Sequence, residues 1–385
     1  MGRSCSLRLD LDSLSGQMFW KLFHRTAGTN ASIATPCSTE KIIDLHCQLE
    51  KFRAVVNRQN VADLHAWAAS ISSGIIPQLI QSEFDKADQG DILFVVSPQM
   101  AEFPFDFLIS RGEFLCKRFR CGTIICSDGF LRTVTINTES EELLVLANQA
   151  PDLTMVSNET AAIRELGRSH KRTMRHLNDA RKEKVFSCIN QASIVHFAGH
   201  SFHTGDRTTS GWQTAPGELF DLCDMEHIGR SGKVPWLVFS NSCHAGNSGE
   251  DCELAGIAGA LMKSGIPQVI GPVSRINDSD ASNSALDFYR YLFKGKNPAE
   301  ALLSMRKSLA GKVLAPYLYR LYGDPCFTPI RKDSVSDIAE QKTFQKKKKL
   351  SKKKQNVILI VLLVMLIILL FIPINNSGIM YVPAR

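Results

Sequence analysis

The amino-acid sequence predicts an α/β protein, a mainly parallel sheet sandwiched by helices, with one C-terminal transmembrane helix added. Three observations carry this. Short apolar runs at 91–97, 143–148, 192–200, 236–243 and 268–273 alternate with stretches of helical periodicity. Such alternation is the pattern of βαβ units and a sheet covered on both faces. The 385 residues are 44% hydrophobic and 22% charged, the composition of an ordinary globular chain. Finally, residues 357–372 are uninterruptedly apolar and follow a lysine cluster.

Along the chain, residues 1–37 are a weakly patterned extension in which 6–12 alternates polar and apolar, consistent with one edge strand. From 38 to about 85 apolar residues (Ile42, Leu45, Leu49, Phe52, Leu64, Trp67, Ile71) recur at helical spacing. Ser38 stands where a capping hydroxyl would start that segment. The run 91–97 is a buried strand, 115–137 reads as short strands or a hairpin, and 143–148 as another buried strand. A polar stretch over 159–184 reads as helical, and 201–217 is a polar, Gly- and Thr-rich segment. A helix with small residues on one face covers 249–263, and amphipathic helices cover 281–293 and 298–310, with Pro298 suited to a first turn. The expected division is an extension (1–37), an N-terminal subdomain (38–150), a C-terminal subdomain (151–331), a Lys-rich linker (332–355), the membrane helix (356–374) and a short tail (375–385).

Charge is concentrated in one place. Of 45 basic residues, eight lysines lie between Lys342 and Lys354, leaving 37 against 38 acidic groups elsewhere, a net of −1. The folded part therefore has no electrostatic footprint for nucleic acid. The sixteen apolar residues of 357–372, extended to Ile374, make a helix about 27 Å long, close to the hydrocarbon thickness. The flanking lysines place the preceding chain in the cytoplasm, so the expectation is a single-pass, tail-anchored protein, with the bacterial inner membrane as its expected location. Eleven scattered cysteines without a C-x-x-C pair suggest reduced thiols rather than a disulfide framework or zinc ribbon.

Reactive groups of open α/β sheets collect beyond the carboxyl ends of the strands. His200 ends one apolar run and Cys243 ends the next, and neighbouring strands lie about 4.8 Å apart. A thiol needs a base or cation beside it to become a nucleophile near neutral pH, and imidazole is the usual partner. The plain alternative is a buried cysteine acting as a small hydrophobe. His196, inside its strand, reads as a hydrogen-bonded core histidine. Together with His200, His203 and His244 it could be taken for a metal cluster. A pair spaced by four on a strand does not converge on one ion, so no metal and no cofactor are expected.

Ile194-Val-His-Phe-Ala-Gly-His200 and Leu237-Val-Phe-Ser-Asn-Ser-Cys-His-Ala-Gly246 resemble the two catalytic motifs of the CHAT domain, a caspase-like cysteine peptidase family related to separase. Phe103-Pro-Phe-Asp-Phe-Leu108, the segment 256–270, Phe288-Tyr-Arg-Tyr-Leu292, Ala299-Glu-Ala-Leu302 and Tyr322-Gly-Asp-Pro325 are similar to further family segments, in the same order. The resemblance covers 38–331 and implies a caspase-like sheet with His200 as general base and acid and Cys243 as nucleophile. It also implies an oxyanion hole from the backbone amides of Ser201 and Cys243. The family's Gly-His-Gly is Gly199-His200-Ser201 here, a departure at an oxyanion donor. Ser274 to Asp280 falls where separase-like members carry an acidic segment that binds a basic P1 side chain. Asp278 matches it best and Asp280 next, although both could be helix-capping aspartates, Asp280 as the N-cap before Ala281. The expected function is a membrane-tethered cysteine endopeptidase acting on a protein substrate, in a defence or cell-death setting where a gasdermin-like pore-former is one such substrate. The alternative is a pseudo-protease serving as a membrane-anchored binding or scaffold module.

Overall fold

The computed structural model describes residues 5–12, 17–24, 39–58, 60–96, 98–125, 134–244, 254–309 and 313–329, with Cys243 and His244 described by their backbone. Strands β1 (Cys5–Asp12) and β2 (Gln17–His24) pair antiparallel, so the extension holds a hairpin where the alternation of 6–12 predicted one strand. The helical region is three helices, α1 (Thr39–Asn57), α2 (Val61–Ile75) and α3 (Gln78–Lys86). The breaks are chemical. The Asn60 side chain accepts from the Ala62 and Asp63 amides and starts α2, and Pro77, lacking an N–H, separates α2 from α3.

There follow β3 (Asp91–Val96), the short pair β4 (Ile109–Ser110) and β5 (Glu113–Phe114), the single turn α4 (Leu115–Arg118), β6 (Arg120–Ile125) and β7 (Thr135–Ile136). The second part runs β8 (Glu142–Ala147), α5 (Val156–Ser169), β9 (Thr173–Asn178), α6 (Lys182–Ile189), β10 (Ile194–Phe202), β11 (Gly211–Ala215), β12 (Glu218–Asp221) and α7 (Leu222–His227). It continues through β13 (Lys233–Val234), β14 (Leu237–His244), α8 (Leu254–Lys263), β15 (Val269–Pro272), α9 (Asp278–Phe293), α10 (Pro298–Ser308), α11 (Ala315–Leu318) and β16 (Tyr319–Tyr322).

The main sheet has ten strands. Its row is β9-β8-β10-β14-β15-β16-β6-β3, and the β11–β12 hairpin joins the far end of β10. Only β15–β16, β10–β11 and β11–β12 pair antiparallel within it. One sheet thus runs through both predicted subdomains, joined where β16 meets β6 at Tyr322 and Thr123 and where β8 pairs with β9 and β10.

One sequence reading is corrected, and a segment left unassigned gains a strand. The stretch 159–184 is not one helical segment: β9 divides it and pairs in parallel with β8. As an edge strand its side chains are half exposed, so its polar residues hide the strand period. The polar segment 201–217 contains β11, anchored by fully buried Trp212. That ring stacks on Phe197 at 4.6 Å and 11°, and its indole N–H donates to Ser240 Oγ at 2.9 Å.

Side-chain alternation assigns the layers. Leu143, Val145, Ile194, Leu237 and Phe239 share a core with Ile163 of α5 and with Phe288 and Tyr289 of α9. Leu144, Leu146, Val195, Phe197 and Val238 share the opposite core with α6, α7 and α8. Among the described residues no helix is long and apolar enough to cross a membrane. The linker 332–355, the apolar segment 356–374 and the tail 375–385 lie outside the described residues, as do Ser38 and residues 245–253.

Candidate active site

β8 is where the winding of the sheet reverses. The chain goes outward from β8 through α5 to β9, then returns through α6 to β10 on the other side of β8. A crevice opens at the carboxyl ends of strands at such a point. β8 stops at Ala147, paired with Ala198, while β10 continues through Gly199, His200 and Ser201. On its other side β10 runs in unbroken parallel register with β14, and His200 is the partner of Cys243. Residues 194, 196, 198 and 200 alternate onto the α5/α9 face, as do 237, 239, 241 and 243, so the positions of His200 and Cys243 share a face at neighbouring rungs.

Both strands extend past the residues predicted to end them, to Phe202 and His244. Ser201 therefore has strand neighbours on both sides, His244 in β14 and Trp212 in β11.

His200 is 6% exposed. Its Nε2 lies 3.0 Å from Asp152 Oδ1. Its Nδ1 is buried and has no hydrogen-bond partner among the described residues. Asp152 is exposed, on the loop between β8 and α5, and the hydrogen bond from His200 holds its carboxyl below the ordinary carboxylate range. Reading the sequence for a pair of residues missed Asp152. The available signal was an acid soon after the carboxyl end of the strand next to that of His200.

The loop approaches because residue 199 is glycine. A Cβ there would stand 2.8 Å from Asn148 Cβ, so any side chain would push the loop off β10. The Asn148 amide donates to Ala198 O at 2.9 Å, one rung past the end of β8.

Below this end lies a buried polar network on the same face. His196 Nε2 is 2.8 Å from Glu159 Oε1, which also accepts from Asn241 Nδ2 at 2.7 Å. Tyr289 Oη bonds His196 Nδ1 at 3.3 Å, and Tyr319 Oη donates to Asn241 Oδ1. The network ties α5, α9 and β16 to the two strands carrying His200 and Cys243. Burial, then the Glu159 charge, pushes the Tyr289 phenol well up, so it stays a neutral hydrogen-bonding group. His196 is a core histidine, as its place inside the strand predicted.

The two acidic candidates are occupied differently from a simple pocket floor. Asp278 Oδ2 accepts from the Met155 amide at 2.6 Å and from Thr154 Oγ1 at 3.4 Å, capping α5, whose own first residues supply no side-chain cap. Asp280 is not the N-cap of α9: that residue is Asn277, whose Oδ1 accepts from the Asp280 amide at 2.8 Å while its Nδ2 donates to Asp280 Oδ2 at 2.6 Å. Three residues of chain, not none, separate the cap from Ala281, because Asn277 is as good a cap as Asp. Among the described residues no group of three or more His, Cys, Asp or Glu is placed to hold a metal ion. Burial pushes the Cys116 thiol up to about 12 and Cys121 well above its ordinary value, which makes both poor nucleophiles.

The fold and the strand-end pair define the class: a parallel α/β sheet with a histidine and a cysteine in register beside its reversal point. A family model described as the CHAT domain matches residues 65–316, well over half of the chain, and the chain belongs to the CHAT domain family. No significant match is found among curated proteins. Similar solved structures include the Arg-specific cysteine proteinase gingipain R, 11% identical with a TM-score of 0.46, over 75% of this chain and 76% of that one. The complex of the Porphyromonas gingivalis RgpB pro- and mature domains has 11% identity and a TM-score of 0.42, over 74% and 76%. The Saccharomyces cerevisiae separase–securin complex has 13% identity and a TM-score of 0.42, over 60% of this chain and 16% of that one. Values this low leave the chemistry to be argued from the residues.

Proposed function

We propose that this CHAT-family chain is a cysteine endopeptidase, with Cys243 as nucleophile and His200 as general base and acid. The observation that carries the reading is the register pair His200–Cys243, together with a buried His200 nitrogen that has no partner among the described residues. Proton transfer from the thiol to His200 gives a thiolate that attacks the peptide carbonyl. The imidazolium protonates the leaving amine, and water then releases the acid from the thioester. The amides of Ser201 and Cys243 are the candidate donors to the oxyanion.

The substrate is a protein, and a basic P1 residue suits Asp278, whose Oδ1 carries no hydrogen bond among the described residues. The lysine cluster and apolar segment 356–374 anchor the chain to a membrane from its cytoplasmic side. That raises its local concentration toward a membrane-acting substrate such as a gasdermin-like pore-former, in a defence or cell-death pathway. The test is co-expression of the full chain with products of neighbouring genes, followed by a search for new termini. Processing lost in both Cys243→Ala and His200→Ala supports the reading, and processing retained in both overturns it. Deleting 356–374 should slow processing in cells; equal processing would remove the tether from the proposal.

A binding or scaffold module is the second reading, favoured by Ser201, which replaces the family's glycine and has strands on both sides. Partner capture without new termini, unchanged in both variants, would select it.

A further inference from the structure

We infer that Asp152 is the positioning residue of His200, and that Asp278 holds the loop that carries it. This deepens the peptidase reading of the same site and rests on it.

An ionised carboxylate can only accept hydrogen bonds, so the 3.0 Å contact between His200 Nε2 and Asp152 Oδ1 puts the imidazole proton on Nε2, which donates. Nδ1 is then the basic nitrogen. Leaving a buried acceptor unbonded costs about 1–3 kcal/mol, and Nδ1 is buried and without a partner among the described residues. Its open valence matches the task of taking a proton: the S–H bond at Cys243 breaks, an Nδ1–H bond forms, and the electron pair stays on sulfur. The imidazolium so formed keeps its Nε2–H on Asp152, which offsets the new charge. When the tetrahedral intermediate collapses, Nδ1 returns that proton to the departing amine nitrogen.

The loop is built for this. At its start, Asp179 Oδ1 accepts from Gln149 N at 3.0 Å and from Asn148 Nδ2 at 3.2 Å. At its end, Asp278 Oδ2 holds the Met155 amide and the Thr154 hydroxyl. Asp152 is exposed between the two anchors, yet it meets a histidine that is itself buried. Gly199 leaves the space through which the loop reaches it.

The full chain is tested by the pH dependence of Cys243 alkylation with iodoacetamide, followed on the Cys243 peptide by mass spectrometry. His200→Ala should return the thiol to the ordinary range, near 8.5. Asp152→Ala should raise the apparent thiol pKa by about one unit, which is about a tenfold slower alkylation on the acid limb. Asp152→Asn keeps an acceptor for Nε2–H and should lie nearer the wild type than Asp152→Ala, a rescue that a merely structural role would not give. Asp278→Ala should shift the profile in the same direction by less. If Asp152→Ala superimposes on the wild type while His200→Ala is shifted, the positioning role is overturned and the pair stands. If His200→Ala itself superimposes, the peptidase reading fails first and takes this inference with it.

Discussion

Among the described residues, two buried polar clusters tie helices to the main sheet at different places. On the α5/α9 side, Glu159, His196, Asn241, Tyr289 and Tyr319 bond one another beneath the carboxyl ends of β10 and β14. Toward the other end of the sheet, Asp106 receives Arg320 through Nη2 at 2.8 Å and Nε at 3.2 Å, with Arg306 3.5 Å away. Arg306 also donates to the Cys116 and Tyr319 carbonyls, and Arg320 to Ala101 O. That cluster fastens the segment after β3 to α10 and β16, which gives the family-like Phe103–Leu108 stretch a mechanical reason for its Asp106. Burial acts to lower the Arg320 pKa, but the charges and hydrogen bonds of Asp106 and Tyr322 together outweigh it, so the guanidinium stays charged. His200 is placed differently from both clusters. Burial is common to all three, but His200 joins an exposed acid on one nitrogen to a second nitrogen without a partner among the described residues, on a strand whose register pairs it with Cys243.

The sharpest way to break that contrast is to remove the reacting pair. Cys243→Ala and His200→Ala should each lower substrate processing on the order of 10⁴-fold or more, with melting temperatures close to the wild type. A larger loss of stability than of activity would make His200 one more structural group.

Asp106→Ala should do the reverse. It leaves two buried guanidinium groups facing each other and should cost about 3–5 kcal/mol in denaturant unfolding. Glu159→Ala strips partners from His196 and Asn241 and should cost about 3 kcal/mol. It also loosens the strands that carry the site, so activity should fall beyond the fraction unfolded. Glu159→Gln, which retains an acceptor, should recover much of both.

Gly199→Ala probes the loop approach. The added methyl meets Asn148, and the predicted cost is about 1–3 kcal/mol. Activity should fall more than stability, because the loop that yields is the one carrying Asp152.

The smallest effect belongs to the Asp152–His200 pair itself. The folded carboxyl lies below its unfolded value of about 3.9, so the pair stabilises the fold above that pH and the contribution is lost as pH falls through the folded pKa. For so exposed an acid the effect is under about 1 kcal/mol. Comparing the acid limbs of unfolding for wild type and Asp152→Asn would measure it.

Much of this was legible before any coordinates. Continuous apolar runs announced β3, β8, β10, β14 and β15, since strands buried on both faces need no polar alternation. Pro298 announced α10; its cap is Asn297, whose side chain accepts from the Glu300 amide at 2.8 Å. β9 and β11 were illegible for opposite reasons: β9 is half exposed and polar, and β11 is held by one deeply buried ring that a short window cannot weigh. The roles of Asp278 and Asp280 were also hidden, because a carboxylate near a helix start reads alike whether it caps its own helix or another.

From residue order alone came the α/β class, the two strand-end residues and the family resemblance, because these depend on local periodicity and short motifs. Tertiary structure alone decided the pairing of position 200 with position 243, the reversal of winding at β8, and the meeting of Asp152 with His200. Register and contacts across 48 residues of chain arise from how strands align and loops close, and no local pattern encodes them.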